Sequence, residues 1–459
     1  MEAKITKYTA ELCGWVCQLS AEMLGERTLQ EVRLRTLDWL GCVIGAKDAS
    51  SALVMKNLAD ELGGAEVCTL LGSPQQTSVL NAVFSNAAMG HILECDDVNK
   101  ASISHPGAAV IPAALAVAEL LDADFEQYAL GVTAGYEVVV RLGTALNPSL
   151  YDYWHTTSTC GVFAAAAAAG KIMGLSAACL ERSMSLAGMM ASGLVFGFGT
   201  DAKLVNVGHA AAAGVLAAML ADRGFSAPAA VLEAPNGYGA AVSDSRDFRI
   251  LLPQPGDPFM ISESYYKIHA SCGHTHTALD AFLSLRQEYG FHADDIAHIT
   301  VYAYQKAVDL VGQFRSDTEA HAKFSLPYCL AAAAVLGDVS LGSFREEVRS
   351  HPSISKLAEK IRVLEDAAFT LVYPEKRPER VCIVLKDGRE ISRTVELPNG
   401  KSPGLSFLKG KFIRLCTQTV SPANAESICQ AVLAAVPETK IKNLTEQIRK
   451  ELCFGKQHD

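Results

Sequence analysis

The sequence predicts a mainly α fold with an α+β part: a large all-helical domain, residues 1–265 and 404–459, interrupted by a smaller α+β lid domain over residues 266–403. Three observations predict it. Up to residue 265 apolar residues recur at helical spacing in segments rich in Ala, Leu, Met and Gly, with little strand-like alternation. From residue 266 β-branched residues alternate over short runs, and Asp387-Gly388 has the chemistry of a tight hairpin turn. Beyond Pro403 helical spacing returns.

In chain order, the spacing predicts helices over Glu31–Ile44, Val79–Leu93, Ala108–Leu121, Tyr128–Leu142, Gly161–Met173 and Val207–Leu220. Gly161–Gly170 and His209–Ala221 are apolar on most sides, which marks central helices packed closely through Ala and Gly. In the lid, alternation predicts strands at Ile296–Tyr304 and Phe369–Tyr373, and at Val381–Leu385 and Glu390–Val395 on either side of the hairpin. Helices are expected there at Thr277–Tyr289, Pro327–Leu336 and Ser353–Ile361, and after the lid at Leu405–Leu415 and Ala423–Val436.

A chain of 459 residues with 49% hydrophobic and 20% charged residues has ample apolar surface to bury, and its length favours two domains. The net charge of −10 is spread out with no Lys/Arg-rich run, so nucleic acid is not an expected partner. Thirteen scattered cysteines without a Cys-x-x-Cys pair suit a reducing, cytoplasmic setting. The N-terminus has no signal-peptide pattern, and uncharged apolar runs such as Ala108–Val117 and Ala210–Ala221 fall short of the roughly 20 residues of a spanning helix. No membrane association is expected.

Four polar constellations interrupt the apolar pattern. His91 to Pro112 gathers two histidines and three acids before an Ala-rich helix, an expensive arrangement to bury unless paired or employed. On a continuing helix His91, Glu94 and Asp97 share one face, fit for a general base or a hard cation, and His105-Pro106 opens the next helix. Tyr153 to Gly161 places His155 and four hydroxyl residues ahead of the most apolar helix, more than N-capping requires. Gly197 to Lys203 lacks Walker spacing and a preceding strand, so Lys203 reads as a carboxylate partner, with Thr200 beside it, rather than as part of a nucleotide loop. Lys267 to His276 places Cys272, His274 and His276 at alternate positions, which on a strand would face one way. A structural zinc site wants four ligands with wider spacing, so no metal is expected, and the better use is a thiol or imidazole at a cleft between domains. Acids, histidines, lysines and a thiol, without a nucleophile elbow or dinucleotide fingerprint, suit cofactor-free proton transfer next to a carboxylate.

Five motifs in order extend this reading: Gly-His-Ile-Leu-Glu-Cys-Asp-Asp with His-Pro-Gly-Ala-Ala-Val-Ile-Pro-Ala; Trp-His-Thr-Thr-Ser-Thr-Cys-Gly-Val-Phe; Phe-Gly-Thr-Asp-Ala-Lys; Tyr-Lys-Ile-His-Ala-Ser-Cys with His-Thr-Ala-Leu-Asp-Ala; and Ala-Lys-Phe-Ser-Leu-Pro-Tyr. Over nearly its full length the chain resembles the MmgE/PrpD family, whose members include 2-methylcitrate dehydratases, cis-aconitate decarboxylases and iminodisuccinate epimerases. The resemblance implies a helical domain with an α+β lid, usually in a homodimer. It implies catalytic roles for Glu94, Asp97, His105, His155 and Cys272, and substrate contacts from Lys203, Lys267, Thr200 and His276. Three departures stand out: Glu94 where Asp is usual, Val98 where a hydroxyl residue commonly follows the acidic pair, and Cys272 where the decarboxylases carry histidine.

The expected function is a cofactor-independent lyase or isomerase acting on a small di- or tricarboxylate, with 2-methylcitrate-type dehydration the first assignment. Epimerisation of the iminodisuccinate type and cis-aconitate-type decarboxylation are alternatives on the same scaffold. A catalytically inactive binding protein and a metal-dependent hydrolase are the alternatives of another class.

Overall fold

The computed structural model describes residues 7–453, so the reading of the N-terminal residues 1–6 lies outside the described part. The chain divides into two compact units. The first comprises the described residues up to Ile92, Asp96–Ser264, and those from Gly404 onward; the second comprises Leu93–Cys95 and Tyr265–Pro403.

The first unit is helical. It runs through α1 (Tyr8–Gln18), α2 (Ala21–Ala46), α3 (Ser50–Leu62), α4 (Val79–His91), α5 (Pro106–Leu120), α6 (Phe125–Leu146), α7 (Thr156–Thr159), α8 (Gly161–Ile172), α9 (Ala177–Met189) and α10 (Ala202–Asp222). A two-residue antiparallel ladder, β1 (Cys68–Thr69) with β2 (Gln76–Thr77), joins α3 to α4. Helix α8 is buried almost throughout and packs against α5, α6, α9 and α10. Small residues make this closeness possible: a Cβ on Gly214 of α10 would lie 2.5 Å from the Val162 carbonyl oxygen and 2.6 Å from the Ala165 Cβ. Two protein backbones meet there, so the Ala/Gly-rich pattern translates directly into helix spacing.

Helices α6 and α10 are long and apolar enough to cross a bilayer by length and composition, longer than the uncharged runs suggested. In this fold they are core helices, with 89% and 61% of their most apolar stretches buried. Helix α6 starts on a capping box, in which Asp124 accepts from the Gln127 backbone and the Gln127 side chain accepts from the Asp124 backbone.

Helices Leu405–Cys416, Pro422–Leu433 and Ile441–Cys453 complete the first unit against α2 and α5. In the last, Ile441, Leu444, Ile448 and Leu452 face inward at helical spacing. Lys411 reaches the fully buried Asp38 of α2 at 2.6 Å.

The second unit is built on a four-stranded sheet in the order β4 (Ile361–Glu365), β3 (Ile296–Ala303), β5 (Glu379–Leu385), β6 (Glu390–Val395). Strands β3 and β4 are parallel, with Val301 opposite Val363; the other pairs are antiparallel. The β5–β6 turn carries Gly388 at φ 87°, a left-handed position that glycine enters without steric cost. Two details differ from the sequence expectation. Ile361–Glu365 is a strand, whereas the run Phe369–Tyr373 is not: Asp366 caps a short helix, Ala367–Thr370, by accepting the Ala368 N–H at 3.0 Å.

Candidate active site

Helix α4 ends at His91, two residues short of the expected boundary, and the chain turns sharply through Glu94, whose φ is +54°. The shared helix face of His91, Glu94 and Asp97 is therefore not formed. The loop that follows closes on itself where Asn99 and Ser104 exchange backbone hydrogen bonds of 2.8 and 3.2 Å, while Asn99 Oδ1 accepts from the Ser102 backbone and hydroxyl. This closure returns His105 towards His91, and Pro106 starts α5 at a position that needs no N–H.

The carboxylate at the centre is Asp96. Its Oδ2 lies 2.7 Å from His91 Nδ1 and 3.2 Å from His105 Nδ1. The His91 ring stands edge-on to His105, with centroids 4.8 Å apart, and is stacked with His155 at 5.8 Å. Burial by itself would push the Asp96 carboxyl up, but the two imidazoles beside it hold it well below the usual carboxylate range. Asp96 is thus a fixed negative charge under a group of imidazoles. His91 and His155 are fully buried, whereas the His105 side chain keeps 14% of its surface exposed, which makes it the most accessible ring of the three.

Asp97 faces another way. Its Oδ1 accepts the Gly107 N–H at 2.9 Å and its Oδ2 accepts the Tyr136 hydroxyl at 2.8 Å, with Arg35 Nη1 3.8 Å away. It anchors the first turn of α5 behind His105. Burial raises its pKa to about 6 even though Arg35, Tyr136 and Gly107 all favour the ionised form. Sequence reasoning placed Asp97 with the catalytic groups and passed over Asp96; spacing does not separate two adjacent aspartates, and the usable signal was His91 five residues upstream.

His155 sits at the N-cap position of α7, with its backbone N–H on the Gly193 carbonyl at 3.0 Å. No hydroxyl caps this helix. Three of the four hydroxyl residues tie neighbouring segments together instead: Thr156 accepts from Asn147, Thr157 accepts the His105 backbone N–H at 3.0 Å, and Ser158 donates to the Ser192 and Asn206 carbonyls, while Thr159 donates to the His155 carbonyl within its own turn. Thr157 thereby fixes the backbone of His105 directly against α7.

Lys203 is buried in the first turn of α10, with Nζ 5.3 Å from the centre of the Phe198 ring. The same ring stands edge-on to His155, 5.0 Å away. Thr200 is exposed in the preceding turn, donating to the Gly197 carbonyl at 2.8 Å and accepting the Ala202 N–H at 3.3 Å.

In the second unit Lys267 is fully buried and donates to Glu94, at 2.9 Å to the carbonyl and 3.1 Å to Oε2. Cys272, His274 and His276 do not alternate along a strand: a 3-10 turn, Gly273–Thr275, leads into the helix His276–Tyr289. The Cys272 backbone N–H donates to the Lys323 carbonyl, His274 Nδ1 is 2.7 Å from the Tyr304 hydroxyl, and His276 Nε2 is 3.2 Å from the Ser271 carbonyl. His269, which the Lys267–His276 stretch contained without a role assigned to it, contacts Asp280 at 3.0 Å and lies edge-on to His276.

Among the described residues, His91, Asp96 and His105 also bring three ligand-type atoms within 4.8 Å of one another. Ligands about 2.1 Å from a common ion stand roughly 3 Å or more apart. The 2.7 Å contact from Asp96 to His91 is a hydrogen-bond distance, so this arrangement fits imidazoles held by a carboxylate better than a preformed ion site.

Two family models match the chain: the MmgE/PrpD N-terminal domain over residues 10–251 and the MmgE/PrpD C-terminal domain over residues 269–435. The chain belongs to the MmgE/PrpD family. Among curated relatives, it is similar to cis-aconitate decarboxylase of Aspergillus terreus, 26% identical over 421 residues that cover 85% of each chain. The cis-aconitate decarboxylase of Mus musculus is 25% identical over 76% of this chain and 74% of its own. The 2-methylcitrate dehydratase of Escherichia coli is 26% identical over 45% of each. Within this MmgE/PrpD chain, the His91–Asp96–His105 group, His155 and Lys203 all lie in the stretch matched by the N-terminal model.

Proposed function

We propose that this chain is a lyase that works without a cofactor on a small di- or tricarboxylate, removing a proton next to a carboxylate group. The observation that carries the reading is that His91 and His105 both meet one buried carboxylate, Asp96, with His155 stacked on His91. An imidazole beside a fixed carboxylate is oriented and better able to accept a proton. His105 is the proton-exchanging group because its side chain retains exposure, and His155 is its partner in acid–base exchange. Lys203 supplies the cation for a substrate carboxylate, with its ammonium steadied by Phe198.

On motif position Lys267 and His276 in the second unit and Thr200 in the first are assigned to substrate contact, and Glu94 and Cys272 to catalysis. Asp97 becomes the support of α5 in this reading, on the strength of its Gly107 and Tyr136 hydrogen bonds. A homodimer and a cytoplasmic location belong to the same proposal, the first supported by family resemblance and the second by cysteine usage. Light scattering of the purified chain tests the dimer.

Dehydration of a 2-methylcitrate-like acid is the first assignment. Decarboxylation of a cis-aconitate-like acid is the second, favoured by the longer match to the decarboxylases, 85% of the chain against 45% for the dehydratase. Incubation in heavy water with citrate-like and succinate-like acids, followed by NMR, separates the possibilities. A dehydratase produces alkene signals, a decarboxylase releases carbon dioxide, and an epimerase washes deuterium into the substrate without net loss. Inertness towards the whole panel, with ligand-induced stabilisation only, would overturn the enzyme reading.

A further inference from the structure

We propose that His91 is a positioning residue: its Nδ1–H holds Oδ2 of Asp96 so that this oxygen keeps His105 in the tautomer that presents Nε2 for proton exchange. The inference rests on the reading of His105 as the proton-exchanging group.

His91 has no exposed surface, yet it reaches each of the other members: Asp96 by hydrogen bond, His105 edge-on and His155 by stacking. A buried ring with these contacts acts through its neighbours. Asp96 depends on it. Among the described residues its Oδ1 is buried without a hydrogen-bond partner, so the carboxylate is oriented through Oδ2 alone, in contrast to Asp97, which is held through both oxygens. The terminal carboxylate torsion is soft, and a single-sided carboxylate rotates when its anchor is removed.

The two contacts on Oδ2 are also unequal. His91 is at 2.7 Å, a short hydrogen bond, whereas His105 is at the longer distance of 3.2 Å. The tight partner anchors and the looser one is left able to move during proton exchange. Asp38 is a further charge acting in this neighbourhood, and Arg35 acts on both Asp38 and Asp97. A hydrogen bond to one ring nitrogen sets which nitrogen carries the proton, and such partners of a reacting group are commonly worth tenfold or more in activity.

The test uses the full chain labelled with ¹⁵N-histidine, as wild type, His91→Ala, His91→Asn and Asp96→Asn, with His105 assigned through His105→Asn. Asn places an amide donor near the position of Nδ1 but does not titrate. The expected result is a His105 Nδ1–H tautomer in wild type and His91→Asn, and mixed tautomers in His91→Ala and Asp96→Asn. Turnover of cis-aconitate or 2-methylcitrate, where present, should fall about tenfold in kcat with little change in KM for His91→Ala and recover in His91→Asn. Should His91→Ala fail to fold, His91→Asn against Asp96→Asn makes the same comparison. A His105 tautomer in His91→Ala or Asp96→Asn identical to wild type, or as mixed in His91→Asn as in Asp96→Asn, would overturn the proposal. Wild-type turnover in His105→Asn would instead overturn the catalytic reading of His105, and the NMR comparison still decides the positioning role.

Discussion

The ring of Phe198 stands edge-on to that of His155, with centroids 5.0 Å apart and planes at 86°, and its face lies 5.3 Å from the Lys203 ammonium. One side chain therefore touches both an acid–base candidate and the carboxylate-binding candidate. Replacing Phe198 with Leu keeps an apolar contact but removes the aromatic face, worth about 1 kcal/mol, or roughly fivefold. KM for the carboxylate substrate should rise by about that factor, and Phe198→Tyr should restore it. Steady-state kinetics on the acid found in the heavy-water panel, with melting curves alongside, checks this.

Asp97 gives a pH-dependent contribution of defined sign. Its folded pKa of about 6 lies above the ordinary 3.8, so the native state keeps a proton that the unfolded chain releases. Its contribution to stability is therefore full below about pH 4 and is lost as the pH rises through about 6, an amount on the order of 3 kcal/mol. Asp96, held below the usual range, has the opposite sign: its contribution is present above the ordinary pKa and lost as the pH falls through its lowered one. Urea unfolding of wild type and Asp97→Asn isolates the first effect. The stability of wild type relative to the variant should decline between pH 4 and 6.

Thr157 ties α7 to the backbone of His105. In Thr157→Val the shape is nearly kept but the His105 N–H loses its acceptor, at a cost of about 1–3 kcal/mol. The variant should lose activity through kcat more than KM, whereas Thr157→Ser should stay close to wild type. Unfolding curves and kinetics on the three proteins read both effects.

The Lys411–Asp38 pair joins the C-terminal helices to α2 inside the first unit. Burial raises the Asp38 pKa despite the ammonium beside it. Lys411→Met strands that carboxylate and should destabilise the protein by about 3–5 kcal/mol, whereas Lys411→Met with Asp38→Leu should recover much of the loss. A double-mutant cycle by denaturant unfolding measures the difference.

Much of the fold was legible because its determinants are local. The long apolar helices announce themselves through periodicity, and the Asp387-Gly388 turn through its chemistry. Strand β4 was not legible, since Ile361 reads equally well as the end of a helix and only pairing with β3 makes the segment a strand. The site shows the same division. The sequence marks His91 to Pro112 as unusual, but which of Asp96 and Asp97 meets the histidines is decided by Tyr136 and Gly107 claiming Asp97. The excess of hydroxyls after His155 was visible too; their partners, as distant as Asn206 and the His105 backbone, exist only in the folded chain.

In the proposed reaction His105 and His155 exchange the proton removed from a small carboxylate. The most direct measurement is solvent deuterium exchange and turnover by wild type, His105→Asn and His155→Ala, side by side on the acid that the wild type converts. Each variant should fold as wild type and lose on the order of a hundredfold or more in the chemical step. Exchange and turnover at wild-type rates in both variants would show that neither histidine moves the proton.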